Sequence, residues 1–311
     1  MQKASKPTVY IMLQGRLTLH RIYSIVNKNM LKIFIVYLLY LVKDATMRQS
    51  CDAENQYYWS YHGPDNGPSY WKDLYPACNG TFQSPIAITA DDSQDVFPEL
   101  KFYGFDKPIT KAKVQNLGWT VMITPEDDVD RYINWFNANF NLRSIRFHFG
   151  SESNPGAEHV ISGVRYPMEI YYYMEDNERN TTAILSTLMD VADEDNSAFG
   201  PIIDVLPDVT YRNDFTKLQS ELDLSKLLPE NIYHFYTYEG SISVPPCKPL
   251  SIRWILKDVG KIGGDQLNTF MTLYSVKKKD ASDQCLMGPN FRPVQDLGSR
   301  RYYNAPYSDG V

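Results

Sequence analysis

Short strand-like runs recur along this chain, and turn-forming residues separate them. The runs are 109–114, 118–124, 143–149, 168–174, 233–238 and 251–257. Two segments have helical character: residues 180–191, whose β-branched side chains also permit a strand, and residues 264–274, with apolar residues at helical spacing. No repeat or linker divides these elements, so we predict one mainly-β (α+β) domain.

The first fifty residues differ in character from the rest of the chain. After Met30, a lysine precedes an apolar run at 33–42, and a polar stretch follows. This order is typical of a secretory signal, and the run is too short for a comfortable membrane span. We expect residues 1–50 to be an N-terminal extension and signal, cleaved near residues 45–51, with no membrane span left after its removal. The alternative is a short amphiphilic anchor that stays attached.

The remaining domain, residues 51–311, is acidic. The chain has 31 basic and 37 acidic residues, of which eight basic residues and one acidic residue lie in the first fifty. The remainder therefore carries 23 basic and 36 acidic residues, a net charge of −13. Such a charge argues against nucleic acid or heparin-like partners and suits an extracellular protein. It also permits a structural role in an extracellular matrix.

The cysteines and sequons point to the same compartment. The cysteines are even in number and widely spaced, without a C-x-x-C, which favours disulfides in a secreted chain over a zinc finger; they are Cys51, Cys78, Cys247 and Cys285. Two glycosylation sequons begin at Asn79 and Asn180. We therefore expect a secreted, extracellular glycoprotein.

The segment S-I-R-F-H-F-G, residues 144–150, alternates between polar and apolar side chains. In a strand, Arg146 and His148 share one face, while the other face takes Ile145 and Phe147. Two histidines at this spacing would form half of a metal site. An arginine has no lone pair to offer and carries a permanent charge, so this pair of residues does not predict one.

Several motifs stand in an order and spacing that resemble the α-class carbonic anhydrase family, from about residue 59 to about residue 300. They are W-S-Y-H-G-P at 59–64, Y-P-A-C-N-G-T-F-Q-S-P-I at 75–86, S-I-R-F-H-F-G at 144–150, G-A-E-H at 156–159, R-Y-P-M-E-I-Y-Y-Y at 165–173, G-S-I-S-V-P-P-C at 240–247 and N-F-R-P-V-Q at 290–295. The resemblance implies a single domain with a large twisted, mostly antiparallel central sheet, short peripheral helices and a conical cleft. It also implies a chemistry, in which three histidines hold zinc and the zinc-bound water, with a pKa of about 7, attacks carbon dioxide.

The resemblance assigns the three zinc-ligand positions to Arg146, His148 and Tyr171. Only His148 retains a ligand-type side chain, because arginine cannot coordinate and tyrosine binds metals only as phenolate. Even an open catalytic zinc site keeps three protein ligands. We therefore expect no metal and no cofactor at this site.

The same resemblance assigns the other functional positions. Trp119, in N-L-G-W, stands at the position of the proton-shuttling histidine. Ser243 stands for the threonine that orients the zinc hydroxide, Glu158 for the glutamate that accepts from it, and Val244 for the next threonine. These residues, with the three ligand positions, are expected to line a vestigial cleft in which no catalytic set is intact.

Within the family, this pattern looks like the carbonic-anhydrase-related, acatalytic branch. The segment I-R-F-H-F-G-S-E resembles the secreted related proteins, and E-L-K-F-Y-G-F-D and D-N-S-A-F-G-P-I-I resemble the carbonic-anhydrase-like domain of receptor-type tyrosine phosphatases gamma and zeta. The resemblance implies a module that binds an extracellular or cell-surface protein. The alternatives are a zinc-dependent hydratase with altered ligands, an esterase and a matrix component, and the oligomeric state stays open.

The resemblance also guides the local expectations. Cys78 and Cys247 occupy positions that pair in extracellular members, and Cys51–Cys285 follows by elimination, unless one of those cysteines links to another chain. For Arg146 we expect an internal pair with Glu169, the alternative being an anion or a partner in the cleft. His148 is expected to be hydrogen-bonded at the cleft floor. Among the three tyrosines of M-E-I-Y-Y-Y, the first and third face the cleft and the second packs behind them.

Overall fold

The computed structural model describes residues 30, 32–37, 51, 59–63, 65–89, 98–282 and 285–304. The chain divides into two units, Met1–Gln49 and Ser50–Val311. In the first unit, residues 32–37 are helical and exposed. The rest of the apolar run at 33–42 and the expected cleavage region at 45–50 lie outside the described residues. Within those residues, no helix is both long and apolar enough to span a membrane.

The second unit is built mainly of β-strands. In chain order, its described strands are β1 (Ala87–Ile88), β2 (Lys101–Tyr103), β3 (Ala112–Asn116), β4 (Val121–Pro125), β5 (Tyr132–Trp135), β6 (Ala138–Phe149), β7 (Val160–Ile161), β8 (Val164–Arg165), β9 (Met168–Asp176), β10 (Thr181–Ala192), β11 (Phe215–Lys217), β12 (Phe235–Ser241), β13 (Pro249–Leu256), β14 (Gly260–Gly263) and β15 (Tyr303–Asn304). The α-helices that the structure describes here are short: α1 (Trp71–Leu74), α2 (Gly200–Ile203) and α3 (Gly264–Met271).

Most of these strands form one large mixed sheet. Its main path runs β11-β3-β4-β6-β9-β10-β13-β12-β15, while β14 pairs with β10, and β5 joins β2 to β6. The pairings are antiparallel except for those of β10 with β13 and with β14, which are parallel. A small separate sheet has the order β1-β7-β8. The predicted mainly-β domain with a large central sheet and short peripheral helices is therefore confirmed.

The central sheet has two different faces because side chains alternate along each strand. One face buries Ile145 and Phe147 of β6, Tyr172 of β9 and Trp254 of β13 in the larger hydrophobic core. Burying each such side chain stabilises the fold by roughly 1.5–3 kcal/mol. The opposite face carries the polar side chains of the same strands, among them Arg146, and it is there that the candidate site lies.

The segment 180–191 is a strand rather than a helix, which is the alternative that its β-branched side chains left open. From Thr181 onward it lies in β10, between β9 and β13, and the residues from Ala183 to Met189 are buried. A strand covered on both faces reads as a nearly continuous apolar run, which periodicity alone does not distinguish from a buried helix. The second predicted helix is confirmed as α3, which ends at Met271 and buries Leu267 and Phe270.

Two disulfides tie distant parts of the second unit together. Cys78 bonds to Cys247 across 169 residues, with a Cα–Cα distance of 4.9 Å. Cys51 bonds to Cys285 across 234 residues, with a Cα–Cα distance of 5.5 Å. Both expected pairings are therefore present, and the alternative of a link to another chain is not needed.

Candidate functional site

The candidate site lies on the polar face, defined here by Arg146 and His148 of β6, Tyr171 and Tyr173 of β9, and Arg253 of β13. The register of β6 and β9 sets Arg146 opposite Tyr171. Side chains two residues apart point the same way, so the expected cleft residues of both strands meet on this face. The expectation that Tyr172 packs behind them is confirmed, since it is fully buried in the opposite core.

His148 is held by hydrogen bonding at the floor of the polar face. Its side chain is 1% exposed, and its Nδ1 lies 2.8 Å from the backbone oxygen of Asn290. A carbonyl oxygen can only accept, so Nδ1 donates this bond. The neighbouring ring of Tyr171 lies 4.6 Å away between centroids. The sequence predicted a hydrogen-bonded histidine here, but it did not identify Asn290 as the partner.

Tyr171 and Glu158 form a buried hydrogen bond. The Tyr171 hydroxyl donates to Oε2 of Glu158 at 2.8 Å, and the other carboxylate oxygen accepts from the backbone N–H of Arg292 at 2.9 Å. Burial raises the pKa of Tyr171 well above its ordinary value, and the charge of Glu158 raises it further. The phenol therefore stays protonated, and its O–H donates to a carboxylate.

Glu169 belongs to a second buried network. Its carboxylate accepts from the backbone N–H groups of Glu158 and His159 at 2.8 and 2.9 Å, and it lies 2.6 Å from Nδ1 of His159. Burial alone would raise the pKa of Glu169, but the charge and hydrogen bonds of His159 lower it to about 2. The expected pair between Arg146 and Glu169 is therefore wrong, because His159 from the preceding segment takes this carboxylate.

The two arginines of the polar face lie against its tyrosines. The guanidinium carbon of Arg146 is 4.3 Å from the ring centre of Tyr173 and 5.5 Å from that of Trp119. Arg253 is fully buried, and its guanidinium carbon is 5.0 Å from the ring centre of Tyr171. Contacts of this kind between a cation and an aromatic face are favourable, most of all when desolvated.

Arg253 was missed from the sequence. Its Nε and Nη2 donate to the backbone oxygen of Ser241 at 3.1 and 2.5 Å. The signal was available in S-I-R-W-I-L, where a charged residue interrupts an apolar strand. Fully buried arginines are rare unless something engages their charge, so the position warranted attention.

The remaining expected cleft residues belong to an aromatic cluster beside the polar face. Trp119 packs on Trp59 with ring centroids 5.7 Å apart, and Trp59 packs on Trp71 at 5.1 Å. Val244 is buried in the same cluster, and Ser243 next to it is 3% exposed. Three tryptophan rings therefore pack together beside the polar face.

These donor groups do not fit a zinc ion. Among the described residues, no group of three or more histidine, cysteine, aspartate or glutamate side chains could hold a metal ion. The positions expected to be ligands offer one imidazole nitrogen from His148, a guanidinium from Arg146 and a protonated phenol from Tyr171. Zinc needs three neutral or anionic protein donors in an open site, and a guanidinium beside it would repel it.

Both expected glycosylation sites are exposed. Asn79 ends a short 3-10 helix directly after Cys78, and Asn180 lies in the turn between β9 and β10. Each side chain is exposed, as an acceptor for a bulky glycan needs to be.

Comparisons with known proteins agree with this architecture. A family model described as eukaryotic-type carbonic anhydrase matches residues 66–305. Carbonic anhydrase 12 of Homo sapiens is 28% identical over 263 residues, covering 79% of this chain and 73% of that protein. Carbonic anhydrase 15 of Mus musculus is 29% identical over 276 residues, covering 82% and 85%. Receptor-type tyrosine-protein phosphatase zeta of Homo sapiens is 32% identical over 268 residues, which cover 79% of this chain but 11% of the phosphatase.

Proposed function

This chain belongs to the eukaryotic-type carbonic anhydrase family, and on that premise we propose that it is a secreted, acatalytic member that acts as an extracellular protein-binding module. The observation that carries the proposal is the hydrogen bond from Tyr171 to Glu158. In our assignment it joins a former ligand position, Tyr171, to the glutamate that would accept from the hydroxyl at the position of Ser243. Both are thereby committed to each other.

The electrostatics of the site support the loss of hydration chemistry. Hydration of carbon dioxide by this family needs a metal that lowers the pKa of bound water. At our assigned ligand positions, Arg146 contributes a permanent positive charge and Tyr171 a proton that it retains. The assigned proton-shuttle position is Trp119, whose indole donates only and does not titrate.

Several features support an extracellular binding role. Disulfides persist mainly in oxidising compartments, and the structure contains two of them. The two exposed sequon asparagines, Asn79 and Asn180, fit the same compartment. The similarity to a segment of a receptor-type phosphatase supports a non-enzymatic role by analogy, since fold alone does not determine function.

A second candidate is a hydratase with rearranged ligands. It is favoured by Nε2 of His148, which stays available because Nδ1 takes the hydrogen bond to Asn290. Glu158 and the Ser243 hydroxyl are also retained. This candidate requires metal donors from outside the set that the described residues bring together.

The deciding experiment combines metal analysis with a hydration assay. The chain is expressed in a secretory host, incubated with excess zinc, desalted and analysed by mass spectrometry for metal. We expect near-zero zinc per folded chain and no acceleration of hydration above buffer. Stoichiometric zinc, together with turnover that a sulfonamide abolishes, would establish the hydratase instead.

The binding role needs its own measurement. The secreted protein, fluorescently labelled, is titrated onto intact cells, and bound signal is measured with and without an excess of unlabelled protein. We expect saturable binding that excess unlabelled protein competes away and that survives gentle washing at neutral pH. Binding that never saturates would leave the module without a specific partner and favour the matrix role.

A further inference from the structure

We propose that a polar pocket, at the end of the central sheet where β6 begins and β9 ends, is a saccharide site occupied by the chain's own glycan on Asn180. The pocket shares no lining residue with the polar face that holds the candidate site. The inference rests on the secretion part of the proposed function, because such glycans are attached to secreted chains. It goes further by giving the glycan a binding site on the protein itself.

The saccharide pocket is a cavity of about 450 Å³, and its lining residues lie in the segments 130–141 and 176–179. This volume is within the range of sites for small molecules, but such sites are mostly lined by apolar side chains. Here the described lining consists of four asparagines, three carboxylates, one arginine and one aromatic residue, Tyr132. A lining of this kind selects a polar ligand.

The charges of the lining disfavour an ionic ligand. The carboxylates of Asp130, Asp176 and Glu178 outnumber the single guanidinium, that of Arg179, so the pocket would repel an anion. In the described part of the chain, no three histidine, cysteine, aspartate or glutamate side chains converge to hold a metal ion. A neutral ligand rich in hydroxyls fits best, because each hydroxyl can donate to a carboxylate and accept from an amide or guanidinium N–H.

Both walls of the pocket are held in place by hydrogen bonds within the protein. In the turn after β9, Asp176 accepts from the backbone N–H groups of Glu178 and Arg179 at 3.0 and 3.3 Å, and it pairs with the Arg179 side chain at 2.8 Å. On the β6 side, Oδ1 of Asn139 accepts from Nδ2 of Asn134 at 2.7 Å. A site that is ordered before its ligand arrives loses less entropy when it binds.

Tyr132 gives the pocket a flat apolar surface. One side of its ring stacks on Tyr103, with the centroids 4.6 Å apart and the planes 10° from parallel. Tyr103 does not line the pocket, so the pocket meets Tyr132 away from that stack. Tyrosine combines an apolar ring with a polar hydroxyl. A sugar ring matches it with C–H groups on its face and hydroxyls at its edge, and N-acetylglucosamine adds an acetamide that can pair with asparagine amides.

The sequon identifies the occupant. Asn180 is exposed and follows directly on the lining residues 177–179, so its Cα lies about 3.8 Å from that of Arg179. A sugar attached there is confined beside the pocket at an effective concentration in the millimolar range, and a weak intrinsic affinity is then enough to fill the site. Neither Asn79, the other sequon asparagine, nor its neighbours in the sequence line this pocket.

The first test asks whether the pocket binds sugar. The probe is N,N′-diacetylchitobiose, the disaccharide that begins an N-linked glycan, titrated by saturation-transfer NMR. Asn180→Asp removes the attachment point and tolerates the left-handed backbone, whose φ is 51° there. We expect saturable binding to this variant with a Kd in the millimolar range, and no binding to the glycosylated parent, whose own sugar fills the site.

A matched pair of variants locates the binding. Adding Asn139→Ala to the Asn180→Asp protein removes an exposed side chain of the pocket, and we expect binding of the disaccharide to weaken roughly fivefold to tenfold. The control is Asn154→Ala, which removes an exposed asparagine outside the pocket and should leave the affinity unchanged. Tyr132→Leu should also weaken binding, because it removes the flat ring.

The second test asks whether the chain's own glycan is the occupant. In a Thr81→Ala background the glycan on Asn180 is the sole N-linked glycan expected, and it is either trimmed enzymatically to its first sugar or removed completely. We expect complete removal to lower the folding equilibrium constant, measured by urea denaturation, roughly fivefold. Trimming to one sugar should preserve most of it. Asn139→Ala should abolish the dependence on the glycan, and Asn154→Ala should keep it.

The outcomes separate this inference from the proposed function. A disaccharide that does not bind, or whose binding Asn139→Ala leaves unchanged, overturns the saccharide site. Equal binding to the Asn180→Asp variant and the glycosylated parent assigns the pocket to a glycan from elsewhere and overturns the occupant. A secreted chain without a glycan on Asn180 overturns this inference and its premise together. Stoichiometric zinc with turnover would end the proposed function but leave the pocket unaffected, because the two sites share no lining residue.

Discussion

The Tyr171 hydroxyl donates a 2.8 Å hydrogen bond to Glu158 on the polar face. Both residues are buried, and the second carboxylate oxygen of Glu158 is occupied by the backbone of Arg292. The bond thus links β9 to the segment around Glu158 and to the chain at Arg292. A position that our assignment gives to a metal ligand is held here by ordinary hydrogen bonding.

Removing the hydroxyl should destabilise the fold. Tyr171→Phe leaves one oxygen of Glu158 buried without a donor, and we expect a loss of about 1–3 kcal/mol in the free energy of unfolding. Urea denaturation measures it. Tyr103→Phe is the matched control, because Tyr103 is 44% exposed and water replaces its hydrogen bonds. Equal losses in the two variants would contradict a structural role for the bond.

Restoring histidines should create a metal site. The double variant Arg146→His, Tyr171→His places three imidazoles on β6 and β9 with His148, and we expect close to one zinc per chain after desalting. Each single variant should retain little zinc. Adding Arg253→Gln should tighten binding, because it removes a buried positive charge near the new site. A double variant as free of zinc as the unmodified protein would refute our assignment of the ligand positions.

Stability should fall in acid through Glu169. Its folded pKa of about 2 lies below the ordinary 4.5, so its contribution is fully present above about pH 4.5 and is lost as pH falls towards 2. The contribution is on the order of 3 kcal/mol. Denaturant unfolding at a series of pH values should show this loss, and Glu169→Gln should flatten it. Glu175→Gln, at an exposed ion pair, should keep the full acid dependence.

The disulfide between Cys78 and Cys247 should contribute strongly to the stability of the fold. It closes a loop of 169 residues, so replacing both cysteines with alanine should cost about 4–5 kcal/mol in the chain-entropy model. Urea unfolding of the variant against the oxidised parent measures the difference. If the free energy of unfolding falls by less than about 1 kcal/mol, the unfolded chain gains little conformational entropy when the disulfide is removed.

Glycosylation is the remaining prediction. Protein from a secretory host should carry glycans on Asn79 and Asn180, so enzymatic deglycosylation should lower its apparent mass. Thr81→Ala and Thr182→Ala should each remove one glycan without changing either asparagine. Asn177→Gln, in the same turn as Asn180 but outside a sequon, is the control. An unshifted band from the parent protein would remove this support for secretion.

The alternation of polar and apolar residues was the most informative signal in the sequence. It placed Arg146 and His148 on one face of β6, and the same period placed Tyr171 and Tyr173 together on β9. Strand periodicity is local, so a single sequence is enough to read it. The order of the motifs then indicated the carbonic anhydrase family, and the comparisons show that the chain belongs to it.

The hydrogen-bond partners of the buried side chains were less predictable, because they depend on how the whole chain folds. Glu169 is two residues from Tyr171, yet its carboxylate binds His159 rather than Arg146. Asn290 reaches the polar face from near the C-terminus to accept from His148. No local pattern encodes which distant segment will supply a buried group. Residues 180–191 show the same limit, since burial on both faces removed the alternation that would have indicated a strand.

The parallel pairing of β10 with β13 has a consequence for the kinetics of folding. It joins positions that are far apart in the sequence, Thr182 with Ser251 and Ser186 with Ile255, in the middle of the largest sheet. Loop-closure entropy must be overcome before such contacts can form, so chains with high contact order fold slowly. Until β13 has been synthesised and has paired with it, β10 is an unpaired, apolar edge strand of the nascent sheet. Productive folding therefore depends on protecting that edge from other chains during synthesis.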